Sequence, residues 1–333
     1  MGNRRRAGRG WRCIYPLVLL ALFCLLRVPV TDARTPADKT PAAAPNPWQG
    51  AKVTLDAWFN SQRRKNAAGL MEYFHYKWDD STDTGFSQFA NIFHSFGATT
   101  DTLYSAPAVE KLTGSQLYII VSPDIPAKNP NPHYVQAEDA DQVVQWVKEG
   151  GVLVLMENDP ANADIEHLDV LADRFGIHFD AVLRHHVIGE QLALGTIAVN
   201  GDGPVFFHPH VFFMKDTCAI SVKRPAVALV EDGADTVMAT AKYGKGTVLA
   251  VVDPWLYNEY IDDHRLPSRY DNLEGGKELV RWLLQQIPER STAPHRARHV
   301  DEISPAGSRY WAVQPPSIRI SVPVIKPADS EQR

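Results

Sequence analysis

Carboxylates and aromatic rings recur where the apolar runs of this sequence stop. Leu117–Val121 ends at Ser122-Pro123-Asp124, Val152–Met156 ends at Glu157-Asn158-Asp159, and Thr247–Val252 runs into Asp253-Pro254-Trp255. Trp58, Phe59 and Asn60 close the run that begins at Val53, and Tyr257, Asn258 and Glu259 follow Trp255. Rings that stack on sugar faces, beside carboxylates that take hydroxyl hydrogen bonds, suit a carbohydrate. Two carboxylates at a suitable separation also serve as acid and base in glycoside cleavage. Glu157 and Asp253 are the candidate catalytic pair, with Asp159 and His75 as further candidates. Asp124, Asp159 and Asp253 have an ordinary structural use as well, capping a following helix or fixing a turn.

The densest cluster of such residues is Phe74-His75-Tyr76-Lys77-Trp78-Asp79-Asp80, expected in a loop after the first strand. Loops at that position carry binding residues, and His75 suits acid–base chemistry. Trp78, Asp79 and Asp80 therefore join Trp58, Asn60, Asp124, Asn158, Trp255, Tyr257, Asn258 and Glu259 as candidate ligand contacts. Trp78 packed as a lid and Asp80 holding a turn are the structural alternatives.

No metal and no cofactor are expected. His167, His185 and His186, with Glu166 and Glu190 nearby, lack the spacing of His-Glu-x-x-His, and adjacent strand residues point to opposite faces. Gly244-Lys245-Gly246 lacks the surroundings of a phosphate loop, and no Gly-x-Ser-x-Gly elbow is present. Cys218, in the alternating run Cys218-Ala219-Ile220-Ser221-Val222, reads as a buried strand residue rather than a nucleophile.

Residues at strand ends need strands to hold them. Val53–Phe59, Thr99–Tyr104, Leu117–Val121 and Val152–Met156 read as strands. Gly85–Phe96, Glu138–Lys148, Ile165–Phe175 and Gly275–Gln286 show helical spacing of apolar residues. Fully apolar strands separated by helices predict a parallel sheet covered on both faces, and such sheets bind ligands outside their carboxyl ends. From Ile177 to Val230 the pattern changes to short pieces, among them Val205–Phe213 and Ala226–Val230, which read as a β-rich insertion. Val237–Lys242 and Thr247–Val252 flank Tyr243-Gly244-Lys245-Gly246 as a hairpin. The expected fold is α/β, a doubly wound, mostly parallel, flavodoxin-like sheet with a β-rich insertion.

The 333 residues are 44% hydrophobic and 22% charged, with 24 Pro, which excludes collagen-like and wholly disordered chains. Residues 1–33 hold six arginines against one acid, so the rest is more acidic than the formal net charge of −5, and no nucleic-acid partner is expected. The arginines precede an apolar run, Ile14–Leu26, too short to cross ~30 Å of hydrocarbon as a helix but suited to a signal-peptide core. Thr31-Asp32-Ala33 offers a cleavage site, with an uncleaved N-terminal anchor as the alternative. The expectation is export to the periplasm or beyond, with no membrane contact after cleavage. Residues 34–50 read as a Pro/Ala-rich linker, 51–288 as the folded domain and 289–333 as a mostly disordered tail, within which Ser317–Val324 alternates like an edge strand.

Trp58-Phe59-Asn60, Phe74–Asp80 with Gly85-Phe86-Ser87, Ile120–Asp124, Gly150–Asp159 and Gly244–Tyr260 together resemble a known module. It is the glutamine-amidotransferase-like domain appended to bacterial unsaturated rhamnogalacturonyl hydrolases, and the resemblance spans about Lys52 to Gln286. It implies a class I glutamine-amidotransferase-like fold and a link to pectin breakdown. The family's nucleophile turn reads Met156-Glu157-Asn158-Asp159 here, without its Cys, so glutaminase activity is not implied. The helical-barrel catalytic domain of those hydrolases has no counterpart in these residues. Two functions are expected from these observations. One is a secreted hydrolase acting on pectic, rhamnogalacturonan-type oligosaccharides that carry uronates. The other is a non-catalytic carbohydrate-binding or accessory module using the same cleft, with a glycoside hydrolase as candidate partner. Lys77, Arg184 and Arg265 are the candidates for holding a uronate.

Overall fold

In a computed structural model, residues 46–262 and 265–288 are described. The expected leader, most of the linker and the tail from 289 lie outside the described residues. Three strands, β1 (Lys52–Asp56), β2 (Arg63–Lys65) and β3 (Met71–Tyr73), precede helix α1 (Ser87–Ser95). Then come β4 (Thr99–Leu103), β5 (Leu117–Val121), α2 (Ala137–Glu149), β6 (Val152–Met156) and α3 (Ile165–Ala172). The second half holds β7 (Ile177–Arg184), β8 (Thr196–Val199), β9 (His210–Phe213), β10 (Thr217–Val222), β11 (Val227–Asp232), β12 (Asp235–Tyr243) and β13 (Gly246–Val251). Helices α4 (Asn258–Ile261) and α5 (Asn272–Gln285) complete it. None of these helices is long and apolar enough to cross a membrane.

The central sheet runs β4-β1-β5-β6-β13-β12-β10-β7, with β11 also paired to β12. From β4 to β13 every pairing is parallel. Every residue of β5 and β6 is buried, as an apolar strand covered on both faces must be. Helices α1 and α5 pack together on one face, and α2 and α3 on the other. The doubly wound α/β sheet expected from the sequence is present.

Two local features set the site. Strand β1 stops at Asp56, three residues before the apolar run ends, because the Asp56 carboxylate turns the chain by accepting the amide hydrogens of Trp58 and Phe59 at 3.1 and 2.7 Å. The chain then leaves β1 for β4 on one side and returns to β5 on the other, so the crevice of an open α/β sheet falls between the ends of β1 and β5.

The β-rich insertion joins the sheet instead of standing apart. Strands β7, β10 and β11 extend it antiparallel through β12, and only β8 and β9 form a separate ribbon. The run Val205–Phe213 is a strand only from His210, and the short hairpin β2–β3 has no apolar alternation that would announce it. Cys218 sits on β10, buried, and burial raises its thiol well above the usual range.

Candidate functional site

A buried polar network holds the carboxyl ends of β1 and β5 together. Tyr118 on β5 donates its hydroxyl to Asp56 Oδ2 at 2.6 Å. The Lys77 ammonium, 2% exposed, donates to the backbone and side-chain oxygens of Asn60, both at 2.8 Å, and Asn60 Nδ2 donates to Ser122 O. Burial raises the Asp56 carboxyl and lowers the Lys77 ammonium from their ordinary values, with each charge partly offsetting the other's burial. Asp124 is saturated too, accepting from Ser61 N, Gln62 Nε2 and Asn129 Nδ2. Lys77, Asn60 and Asp124 thus tie loops together and present no group to a ligand.

Above this floor lie two clefts that share Lys128. The larger, of about 520 Å³, is walled by Trp58, Tyr73 and Tyr104, with Arg63, Asn129 and His133 around them. One face of Trp58 is covered by the parallel ring of His133, 3.5 Å between centroids, and His133 Nδ1 donates to Trp58 O at 2.9 Å. Tyr73 and Tyr104 lie 5.0 Å apart, with the Arg63 guanidinium 4.3 Å from the Tyr73 centroid. Tyr104 is half exposed at the sheet edge. Asp79 and Asp80 line a neighbouring hollow with Tyr73 and Tyr104, but Asp80 is occupied by the amides of His75 and Thr82.

The smaller cleft, of about 210 Å³, takes His75, Asn158, Tyr257 and Glu259 of the expected residues, and adds Tyr76, Lys215 and Asp216. Burial, and then the charges of Lys128 and Lys77, push the His75 imidazole down to about 3, so it is neutral and cannot serve as a cation at neutral pH. His75, Tyr76 and Asp216 all adopt left-handed backbone conformations, φ 66°, 56° and 52°. Each costs ~1–3 kcal/mol in a non-glycine residue, and such strain gathers at functional sites.

Glu157 and Asp253 end neighbouring strands, yet neither lines either cleft. Met156 pairs with Val251 at the strand ends, and both carboxyls beyond them act on the same two neighbours, the Tyr76 hydroxyl and the Cys218 thiol. Glu157 feels Asp169 and Asp164 on and before α3, whereas Asp253 accepts the Lys215 amide at 2.9 Å. Both are almost completely buried, and Glu157 Oε2 and Asp253 Oδ1 have no hydrogen-bond partner. Burial raises Glu157 well above its usual range and pushes Asp253 up to about 8. Asp159 accepts from Ala161 N and Asn162 Nδ2, holding the turn before α3.

The remaining expected contacts are structural in place. Trp78 covers the core rings of Phe86, Phe89 and Phe93 and donates to Asp101 O. Trp255 is fully buried against Phe212 and shows no ring face to a ligand. Asn258 receives Gln88 N of α1 at 2.9 Å and donates to Thr82 O at 2.7 Å, stapling α1 to the loop before it. Arg184 pairs with Asp235, and Arg265 with Asp83 and Glu259. His167, His185 and His186 each face a carboxylate, Asp164, Asp232 and Asp216. Among the described residues one group, Asp169, Asp173 and His178, has atoms close enough to share a metal; two of its three members are exposed.

Several site residues carry no sequence signal of their own. Tyr73 and Tyr104 gain meaning only when the β2–β3 hairpin lies beside the end of β4, and Lys128 and Lys215 sit in loops whose path no periodicity reports.

No protein-family model and no curated protein matches the chain. Among solved structures it is similar to the mmIFT52 N-terminal domain, at 16% identity and a TM-score of 0.51, over 70% of this chain and 97% of that one. At that identity the likeness is one of fold. Glycoside hydrolases are among its weaker structural neighbours. The exo-β-1,4-mannosidase Op5Man5 from Opitutaceae bacterium strain TAV5 is 14% identical, with a TM-score of 0.39, over 70% of this chain and 35% of that one. A β-galactosidase from Bacillus circulans sp. alkalophilus is 13% identical, with a TM-score of 0.42, over 71% of this chain and 31% of that one. The chain spans about a third of the length of each of these two enzymes.

Proposed function

We propose that this protein binds oligosaccharides across the carboxyl edge of its sheet, as a carbohydrate-binding module rather than a hydrolase. The supporting observation is the larger cleft, where Trp58, Tyr73 and Tyr104 line the wall next to the side-chain amide of Asn131. Sugar C–H faces pack on such rings while an amide beside them takes a hydroxyl. Arg63 and Lys128 line the same cleft, so the ligand class the module prefers is uronate-bearing, as in pectic oligosaccharides. Bond cleavage needs an acid and a base that both reach the scissile bond. Glu157 and Asp253 lie beneath the surface and line neither cleft, and burial disfavours the ionised form of both.

Calorimetry against neutral and pectin-derived oligosaccharides tests this reading. Saturable binding without new reducing ends is expected, and Tyr104→Ala weakens it roughly tenfold, the ordinary effect of truncating a well-placed ring. Absence of binding across the panel overturns the proposal. Product release that Glu157→Gln or Asp253→Asn abolishes replaces it with the hydrolase.

A further inference from the structure

The smaller cleft holds two cations that nothing in the fold neutralises at close range. Lys128 and Lys215 both line it, and among the described residues neither ammonium has an ion-pair partner or a hydrogen-bond acceptor. Lys215 Nζ lies 5.8 Å from the Tyr260 ring centroid and feels Asp253 only through space, as Lys128 feels Asp159 and Asp124. Half-buried charges are ordinarily paired, because burial without a partner is costly.

The acids nearby are already committed. Asp216 Oδ1 faces His186 Nδ1 at 2.7 Å, and Glu259 Oε2 faces Arg265 at 3.4 Å. Asp159 is bonded to Ala161 N and Asn162 Nδ2, and Asp253 below is held protonated at neutral pH by its burial. What faces the cleft is two ammoniums, a neutral imidazole and the Thr84 hydroxyl, together with Asn158, which already accepts Asp159 N and bonds Tyr76, and Tyr257, whose hydroxyl is bonded to Tyr260. A volume of about 210 Å³ is below the ~300–1,000 Å³ of pockets for drug-sized ligands, which fits one small molecule and not a chain.

We propose that this cleft is a receptor for a small hydroxylated organic anion, a sugar acid or a sugar phosphate, with its oxyanion between Lys128 and Lys215 and its hydroxyls on Thr84 and on the bonding capacity that Asn158 and Tyr257 keep beside their own partners. The site is independent of the ring faces that carry the oligosaccharide reading, apart from Lys128 at the boundary. The left-handed backbone at His75, Tyr76 and Asp216 holds its walls in place before any ligand arrives.

The test is calorimetry on the full chain with galacturonate, glucose 6-phosphate, glucose and inorganic phosphate. At least one of the two sugar anions is expected to bind ten times or more tightly than glucose, and which of them does so identifies the oxyanion. Lys215→Met and Lys128→Met, which keep the stem and remove the charge, each weaken that binding about tenfold. Tyr104→Ala leaves it unchanged while weakening oligosaccharide binding, so the two sites fail or stand separately. Should either lysine variant not fold, raising the salt concentration with the unaltered protein must weaken the sugar anion and spare the neutral sugar. Glucose binding as tightly as both anions, no anion binding, or unchanged affinity in folded lysine variants overturns the proposal. Inorganic phosphate binding as tightly as the sugar anions overturns the part that assigns the hydroxyls.

Discussion

Asp253 leaves the unfolded chain with an ordinary aspartate pKa of 3.8 and holds its proton in the fold up to about 8. A carboxyl raised in the folded state binds more protons there than when unfolded, so its contribution to stability falls as pH rises between those two values. Asp253→Asn, which cannot ionise, is therefore expected to lose less stability than the unaltered protein from pH 5 to pH 8. Urea midpoints at the two pH values read the difference, expected to exceed ~1.4 kcal/mol, one pKa unit's worth. Equal slopes sink the assignment. That a carboxylate ends each of three strands was legible in the sequence, because an apolar run and its first polar residue are adjacent in the chain. Whether that carboxylate faces a cleft or the interior was not, since it depends on which distant loops cover the strand ends. Lys77 makes the same point: its type suits it to hold a uronate, yet it is sealed against Asn60.

Among the elements, β5 and β6 lie where the apolar runs predict, because a strand buried on both faces leaves no polar position to blur its ends. The β2–β3 hairpin escaped notice for the opposite reason: Arg-Arg-Lys and Met-Glu-Tyr are exposed or half-exposed and pair only with each other. Close approach of elements is enforced by glycine at the start of β13, where a Cβ on Gly246 would sit 2.1 Å from Val147 O at the end of α2. Gly246→Ala is expected to destabilise the fold by about 1–3 kcal/mol or more through this overlap, seen as a lower urea midpoint. Gly203→Ala, with nothing within 4 Å of the added carbon, is the control and is expected to be near neutral.

At the scale of the molecule, the antiparallel strands that looked like an insertion complete the same sheet, joined to the parallel half through β12 and β13. The sequence showed a change of strand character at Ile177 but not that the new strands pair with the old ones, since pairing between distant segments leaves no local trace. One sheet with one core predicts one cooperative transition. The Cys218 thiol, buried on β10, is the reporter: its alkylation, followed by peptide mass spectrometry, is expected to be negligible in the native state and to track loss of far-UV circular dichroism in urea. Labelling that precedes the loss of signal shows instead that the antiparallel half opens by itself. The lysine common to both clefts has its own effect. A single ammonium cannot serve two anions at full strength, so whatever neutralises Lys128 from one side lowers the affinity for charge on the other, and by the same factor in reverse. The rim is thus wired for competition: an acidic chain settling on the aromatic wall expels a small acid from its neighbour, and the small acid, when abundant, loosens the chain.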